Sequence, residues 1–343
     1  MKKFPSLTGA FLGLILGLGG LVTGHRLTAQ GPTATDPVET TGAGPAEPPP
    51  SPQPSSPEAI ALVERARDRL FQRSSVQARL VETVSIGDRK FRASGSYTAG
   101  RFPKLRLEFD LAVGETTGTL REICDGQMLW TIQQITGAAG APDEPQVSRT
   151  VIREVLEAAD QSPQAPEAVL IASLGVGGLP ALLASLQRAM DFVPPRRGEA
   201  DGRAYSVVQG AWNQEYRARW GSDVELPPYV PDAVRIYFDD ETLFPSRVLY
   251  LKRTAPEAST YRPLLSLEFS DVVLDGPVDE NRFQFRPSDP TKVYNRTKDY
   301  LRLIEAVNEQ AAAGTPPDAA AEETPGSPAA AASPAATPSP AAP

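Results

Sequence analysis

From Val76 onward, apolar side chains fall at every second position. Val76, Ala78, Leu80, Val84 and Ile86 share one parity, with Gln77, Arg79, Thr83 and Ser85 on the other. Phe91, Ala93, Gly95 and Tyr97 take up the pattern after Gly87-Asp88. Leu105, Leu107, Phe109 and Leu111 then alternate with Lys104, Arg106, Glu108 and Asp110. Successive side chains of a strand point to opposite faces, so this period predicts antiparallel strands with one wet face. Strands near 117–124 and 127–135 meet at Asp125-Gly126, a short-range hairpin signal.

Helical spacing brackets and interrupts this pattern. Ser56-Pro57-Glu58 combines a capping hydroxyl, proline at the first helical position and an acid in the first turn. The helix it predicts runs through Arg73, with Ile60, Val63, Ala66, Leu70 and Phe71 on its apolar face. A helical insert is expected over 148–192. It begins with Val151, Ile152, Val155, Leu156 and Ala159, continues from Pro166 to Leu174, and ends with Leu179, Leu182, Leu183, Leu186 and Met190. Gly175-Val176-Gly177-Gly178 reads as a hinge between the last two parts. Strands resume near 203–210, 211–220, 233–240, 245–253, 264–272 and 283–286, with a final helix near 297–309. The expected fold class is mainly β (α+β), an antiparallel half-open β-barrel of about 11 strands with a helical plug or lid, because a sheet that wide curls and its apolar concave face must be covered.

Composition confines this domain to part of the 343 residues. Of the 35 prolines, nine lie in 31–57 and eight in 311–343. Both segments lack the apolar content for a core and read as disordered, with local polyproline II character. Residues 58–310 remain as one packed domain. In the leader, 1–30, Lys2 and Lys3 precede an apolar run from Leu7 to Val22. That describes a secretory signal, with cleavage after Gly24 or Ala29, or an uncleaved N-terminal anchor. No cysteine follows the run, so no acyl group is expected there. The protein is therefore expected in the periplasm, free or tethered to the inner membrane.

Charge and rare residues narrow the chemistry. Setting aside three leader cations and three acids in each Pro-rich segment, the body carries −5 of the net −8. An acidic body has no general attraction for phosphate backbones, so no nucleic-acid partner is expected. His25 is the single histidine and Cys124 the single cysteine. An intrachain disulfide, a Cys/His zinc site and any mechanism needing an internal histidine are excluded. Asp239-Asp240-Glu241 is best explained as an acidic turn between strands, and the Gly175–Gly178 stretch has no phosphate-loop lysine. Asn295-Arg296-Thr297 matches a glycosylation sequon too short to inform, and Cys124 reads as a small buried residue. No catalytic constellation, cofactor site or metal site is expected.

Four segments, in order, resemble the periplasmic lipoprotein carrier (LolA-like) family and its superfamily, which includes outer-membrane lipoprotein receptors and RseB-type stress sensors. They are Arg101-Phe102-Pro103-Lys104-Leu105-Arg106-Leu107-Glu108-Phe109, Cys124-Asp125-Gly126-Gln127-Met128-Leu129-Trp130, Phe244-Pro245-Ser246-Arg247 and Asn281-Arg282-Phe283-Gln284-Phe285-Arg286-Pro287. The resemblance covers most of 58–309. It implies a monomeric, non-enzymatic carrier that holds lipoprotein acyl chains or lipid between half-barrel and lid, exchanging them with membrane-associated donor and acceptor proteins. It also implies Arg101 as a lid latch, although a Phe separates it from the Pro. The expected cavity wall is Leu107, Phe109, Met128, Trp130, Leu182, Leu186 and Met190. An apolar stripe of this kind is more often core than ligand wall. The alternative is therefore an envelope protein-interaction or sensor domain of the same fold with a filled cavity.

Overall fold

The computed structural model describes residues 55–86, 89–137, 144–161, 174–200, 202–218, 226, 228, 230–255, 258–302 and 304–305. The leader, the linker up to residue 54, the Gly87-Asp88 turn, the insert segment 162–173 and the tail lie outside the described residues. Helix α1 (Pro57–Gln72) leads into β1 (Val76–Ile86), β2 (Arg89–Ala99), β3 (Leu105–Val113), β4 (Thr116–Cys124), β5 (Met128–Thr136) and β6 (Gln146–Val151). Helices α2 (Ile152–Gln161) and α3 (Gly178–Ala189) follow, then β7 (Met190–Phe192), β8 (Arg196–Ala200), β9 (Arg203–Trp212) and the short α4 (Gln214–Ala218). The chain closes with β10 (Ala233–Asp239), β11 (Pro245–Arg253), β12 (Tyr261–Leu274) and β13 (Tyr294–Asn295), and residues 297–302 and 304–305 are helical.

All the strands belong to one sheet of 13, ordered β13-β6-β5-β4-β3-β2-β1-β12-β11-β10-β9-β7, with β8 on β9. Its pairings are antiparallel except β13 with β6, and the sheet does not close on itself. The fold is thus mainly β, an open half-barrel with helices against its apolar face. A single core cluster unites both ends of the sheet with α1 and α3: Leu129 and Leu120, Leu80 and Tyr97, Ile236 and Phe192, Val63 and Leu183.

Strand patterning succeeded where one face is buried. In β1 the apolar parity is under 8 % exposed throughout its described positions, and β3 alternates buried with half-buried positions from Leu105 to Phe109. Five expectations need correction. Residues 148–151 and 190–192, expected within the helical insert, are strand: Gln146–Val151 pairs with β5 from Gln133 to Met128, and Met190–Phe192 pairs with β9. The strand expected over 211–220 stops at Trp212. The Asn213 side-chain oxygen accepts the Tyr216 N–H at 2.8 Å and starts a helix there. The strand expected at 283–286 is replaced by a 3-10 turn (Glu280–Phe283), which the Asp279 carboxylate caps by accepting the Asn281 N–H at 3.0 Å. In α1 the buried stripe is Ala59, Leu62, Val63, Ala66 and Leu70, leaving Phe71 42 % exposed. Ser56 does not cap with its hydroxyl; its backbone N–H donates to the Phe192 carbonyl at 2.7 Å.

Candidate functional site beneath the covering helix

The inner face of the first half of the sheet follows from register. Tyr97 pairs with Leu107, Leu107 with Glu122, and Glu122 with Thr131, so these side chains share one face across four strands. Leu105, Cys124 and Leu129 form the next row, Phe109 and Leu120 the one before. Helix α3 lies against this surface with Leu179, Leu183 and Leu186 fully buried and Leu182 3 % exposed.

Five of the seven expected wall residues come together in the large core cluster: Leu107, Phe109, Leu182, Leu186 and Met190. Met128 and Trp130 do not, and their expected placement is corrected. Cys124 pairs with Leu129, so the inner face continues through Leu129 and the buried Thr131. The even-numbered positions of β5 face the other way, where the half-buried Trp130 ring packs on Phe285 at 5.5 Å. A hairpin reverses parity between its strands, so the Asp125-Gly126 turn already carried this information.

The N-terminal end of α3 is held at three points. The Tyr97 hydroxyl accepts the Leu179 N–H at 3.2 Å, and burial pushes that hydroxyl up to about 12. Gly177 and Gly178 have φ of +82° and +64°, conformations that side-chain-bearing residues rarely adopt. The Phe102 ring lies over Gly177, and a Cβ on Gly178 would stand 2.7 Å from the Tyr97 oxygen. Glu122, 3 % exposed, sets its carboxyl where a Cβ on Gly175 would be. Arg101 is exposed in the turn between β2 and β3. From that turn it is Phe102 that touches the start of the covering helix, and Tyr97 bonds its first turn; Glu64, Arg67 and Asn213 bond its far end through Gln187 and the Arg188 carbonyl.

A cavity of about 20 Å³ lies here, lined by Leu70, Val76, Tyr97, Phe102, Gly177 and Pro180. That is room for roughly one water, far below what an acyl chain needs. At its mouth the exposed rings of Phe71 and Phe102 meet edge to face at 4.9 Å. Arg73 and Lys104 line the same mouth, each in an ion pair of 2.6 Å, with Asp275 and Glu280. Asp239 accepts the Thr242 N–H and hydroxyl at 2.8 and 2.7 Å, as an acidic turn does. No three His, Cys, Asp or Glu among the described residues are placed to hold a metal ion. No helix among them is long and apolar enough to cross a membrane.

Sequence reasoning passed over Tyr97 as a polar contact and both Glu82 and Glu122 as inner-face residues. The signal was available: each glutamate interrupts an apolar parity, between Leu80 and Val84 in one case and between Leu120 and Cys124 in the other.

Architecture and site define a class, an open antiparallel half-barrel whose apolar face is covered by helices. No family model matches the chain, and no curated protein does. Among solved structures, the chain is similar to the Mycobacterium tuberculosis lipoprotein LppX, at 13 % identity and a TM-score of 0.34, over 66 % of this chain and 99 % of that one. It is similar to a LolA superfamily protein of Nitrosomonas europaea, at 12 % identity and 0.26, over 67 % and 99 %. A third likeness is to the Pseudomonas aeruginosa MucA/MucB complex, at 14 % and 0.33, over 66 % and 61 %. The architecture rests on the chain's own strand order and register.

Proposed function

We propose that this chain is an exported binding protein that takes an acylated or amphiphilic ligand, a lipid or a lipoprotein, between the sheet's inner face and α3. One observation carries this. A helix with four buried leucines covers an apolar sheet face, bonded to α1 through Gln187 near its C-terminal end, while its N-terminal end starts from a glycine pair and meets the sheet through the Tyr97 hydroxyl, the Phe102 ring and Glu122. The structure then represents the closed form, with the helix occupying the space the ligand takes. Each buried methylene is worth about 0.8 kcal/mol, which lets such a face compete with a bilayer for an acyl chain. Ligand uptake is a population shift from closed to open, driven by whichever membrane partner prefers the open form. Leu107, Phe109, Leu182, Leu186 and Met190 are the wall residues of this proposal.

The small cavity at the N-terminal end of α3, room for about one water, favours a second reading, a periplasmic protein-interaction domain whose core is self-packed. Native mass spectrometry of the exported protein, purified without detergent, separates the two. Extra mass that extracts into organic solvent, near one ligand per protein, supports the carrier. A protein that stays apo after incubation with acylated lipid leaves the interaction domain.

A further inference from the structure

Two polar side chains on the inner face have no hydrogen-bond partner among the described residues. Glu82 of β1 is 4 % exposed and Tyr250 of β11 is 8 % exposed. Strand β12 lies between them: Glu82 pairs with Leu267, while Val84, Leu265 and Tyr250 form the next row. The two are close enough that the Glu82 carboxyl pushes the Tyr250 hydroxyl further up, as does Tyr216. Neither side chain makes a hydrogen bond with any described residue. The register neighbours are apolar, Ala93 and Leu267 for Glu82 and Val234 and Leu265 for Tyr250, and the Tyr216 hydroxyl acts on Tyr250 from a ring stacked on Trp212 at 4.3 Å.

Buried polar groups are nearly always hydrogen-bonded, and a buried group without a partner is costly to keep. Burial pushes the Glu82 carboxyl up to about 8, so at neutral pH it holds its proton. A neutral carboxylic acid and a phenol are both donors. An uncharged acceptor with two lone pairs suits them; an anion would bring an unpaired charge into an apolar interior.

We infer that Glu82 and Tyr250 form the polar end of the binding cavity and together hydrogen-bond the carbonyl of the ligand's acyl ester or amide linkage. This rests on the carrier reading. It adds what that reading lacks, a reason for the ligand to be seated at a fixed depth with its linkage buried.

The test compares dioleoyl phosphatidylglycerol with its ether-linked analogue, which has the same chains and headgroup but no carbonyl. Binding is read by displacement of a fluorescent acyl probe from the full chain. The wild type is expected to favour the ester by about tenfold, the worth of one or two net hydrogen bonds. Tyr250→Phe and Glu82→Leu should each bring the ester-to-ether affinity ratio close to one. Glu82→Gln, which keeps an N–H donor, should retain it. A diacylated lipopeptide run alongside distinguishes a lipoprotein from a free lipid as the source of the carbonyl. Equal affinity of the wild type for ester and ether overturns the inference and leaves the carrier intact, as does an ester preference that survives both Tyr250→Phe and Glu82→Leu. Failure of every lipid and of the lipopeptide to bind overturns the carrier reading itself.

Discussion

Lys252 and Glu82 are both ionisable side chains buried by the second half of the sheet, and the fold treats them in opposite ways. Lys252, 7 % exposed, donates to the Leu226 and Val230 carbonyls at 3.0 and 3.1 Å and pairs with Asp232 at 3.1 Å. Asp232 in turn accepts the Arg253 N–H at 2.8 Å. The Lys252 charge is neutralised and its donors are used, which is how a buried ammonium persists. Glu82 is at least as deeply buried and has neither counter-charge nor hydrogen bond among the described residues, so it stays uncharged instead. The first arrangement is finished by the chain itself and reads as structure. The second is left open, in the part of the molecule where the proposed ligand lies.

The largest effect expected from breaking this contrast is at the finished corner. Lys252→Met takes the cation from the half-buried Asp232, which keeps the Arg253 N–H, and strands two carbonyls, and should cost about 3 kcal/mol in urea unfolding. A cost below ~1 kcal/mol would mean that water already reaches the corner and that the two regions differ less than their geometry indicates.

Glu82 sharpens the contrast through pH. The native carboxyl keeps its proton up to about 8, whereas the unfolded one releases it near its ordinary 4.5. Between those values the native state binds more protons, so this group's contribution is fully present below about 4.5 and is lost as pH rises through 8. Stability measured from pH 5 to 9 should therefore fall by a few kcal/mol in the wild type. In Glu82→Gln the part of that slope due to Glu82 should vanish. An unchanged slope would place a partner near Glu82 that neutralises it.

The smallest effect is at the covering helix. Tyr97→Phe removes the acceptor of the Leu179 N–H and should cost about 1 kcal/mol. Hydrogen exchange should rise at Leu179, Ala181 and Leu182 with little change in β10 and β11. Faster exchange spread evenly over the sheet would mean that α3 does not open by itself and would weaken the carrier reading.

How much of this was legible depends on what each pattern reports. Alternation places β1 to β5 and β9 to β12, because the face turned to the core is apolar along each; in β11 the other face is buried as well, from Val248 to Lys252. It fails for Gln146–Val151 and Arg196–Ala200, strands near the sheet's margins with polar residues at most positions. Such strands are specified by ladder hydrogen bonds to a neighbour, and no local hydrophobic period announces them. Trp130 illustrates a different failure. Its size and apolar body suggested the interior, but parity through the Cys124–Leu129 pair puts it outside with Phe285.

By itself the sequence determined the class of the domain, the apolar parity of its main strands and the leucine stripe of α3, since these are local periodicities that cannot be satisfied without a buried face. It also bounded the chemistry, because one histidine and one cysteine exclude an intrachain disulfide and a Cys/His zinc site. Only the tertiary structure decided that Tyr97 bonds the first turn of α3, and that Lys252 is paired while Glu82 has no partner among the described residues. Those facts concern residues tens of positions apart whose meeting depends on sheet register, and whether a buried polar group is satisfied depends on every neighbour that folding brings to it.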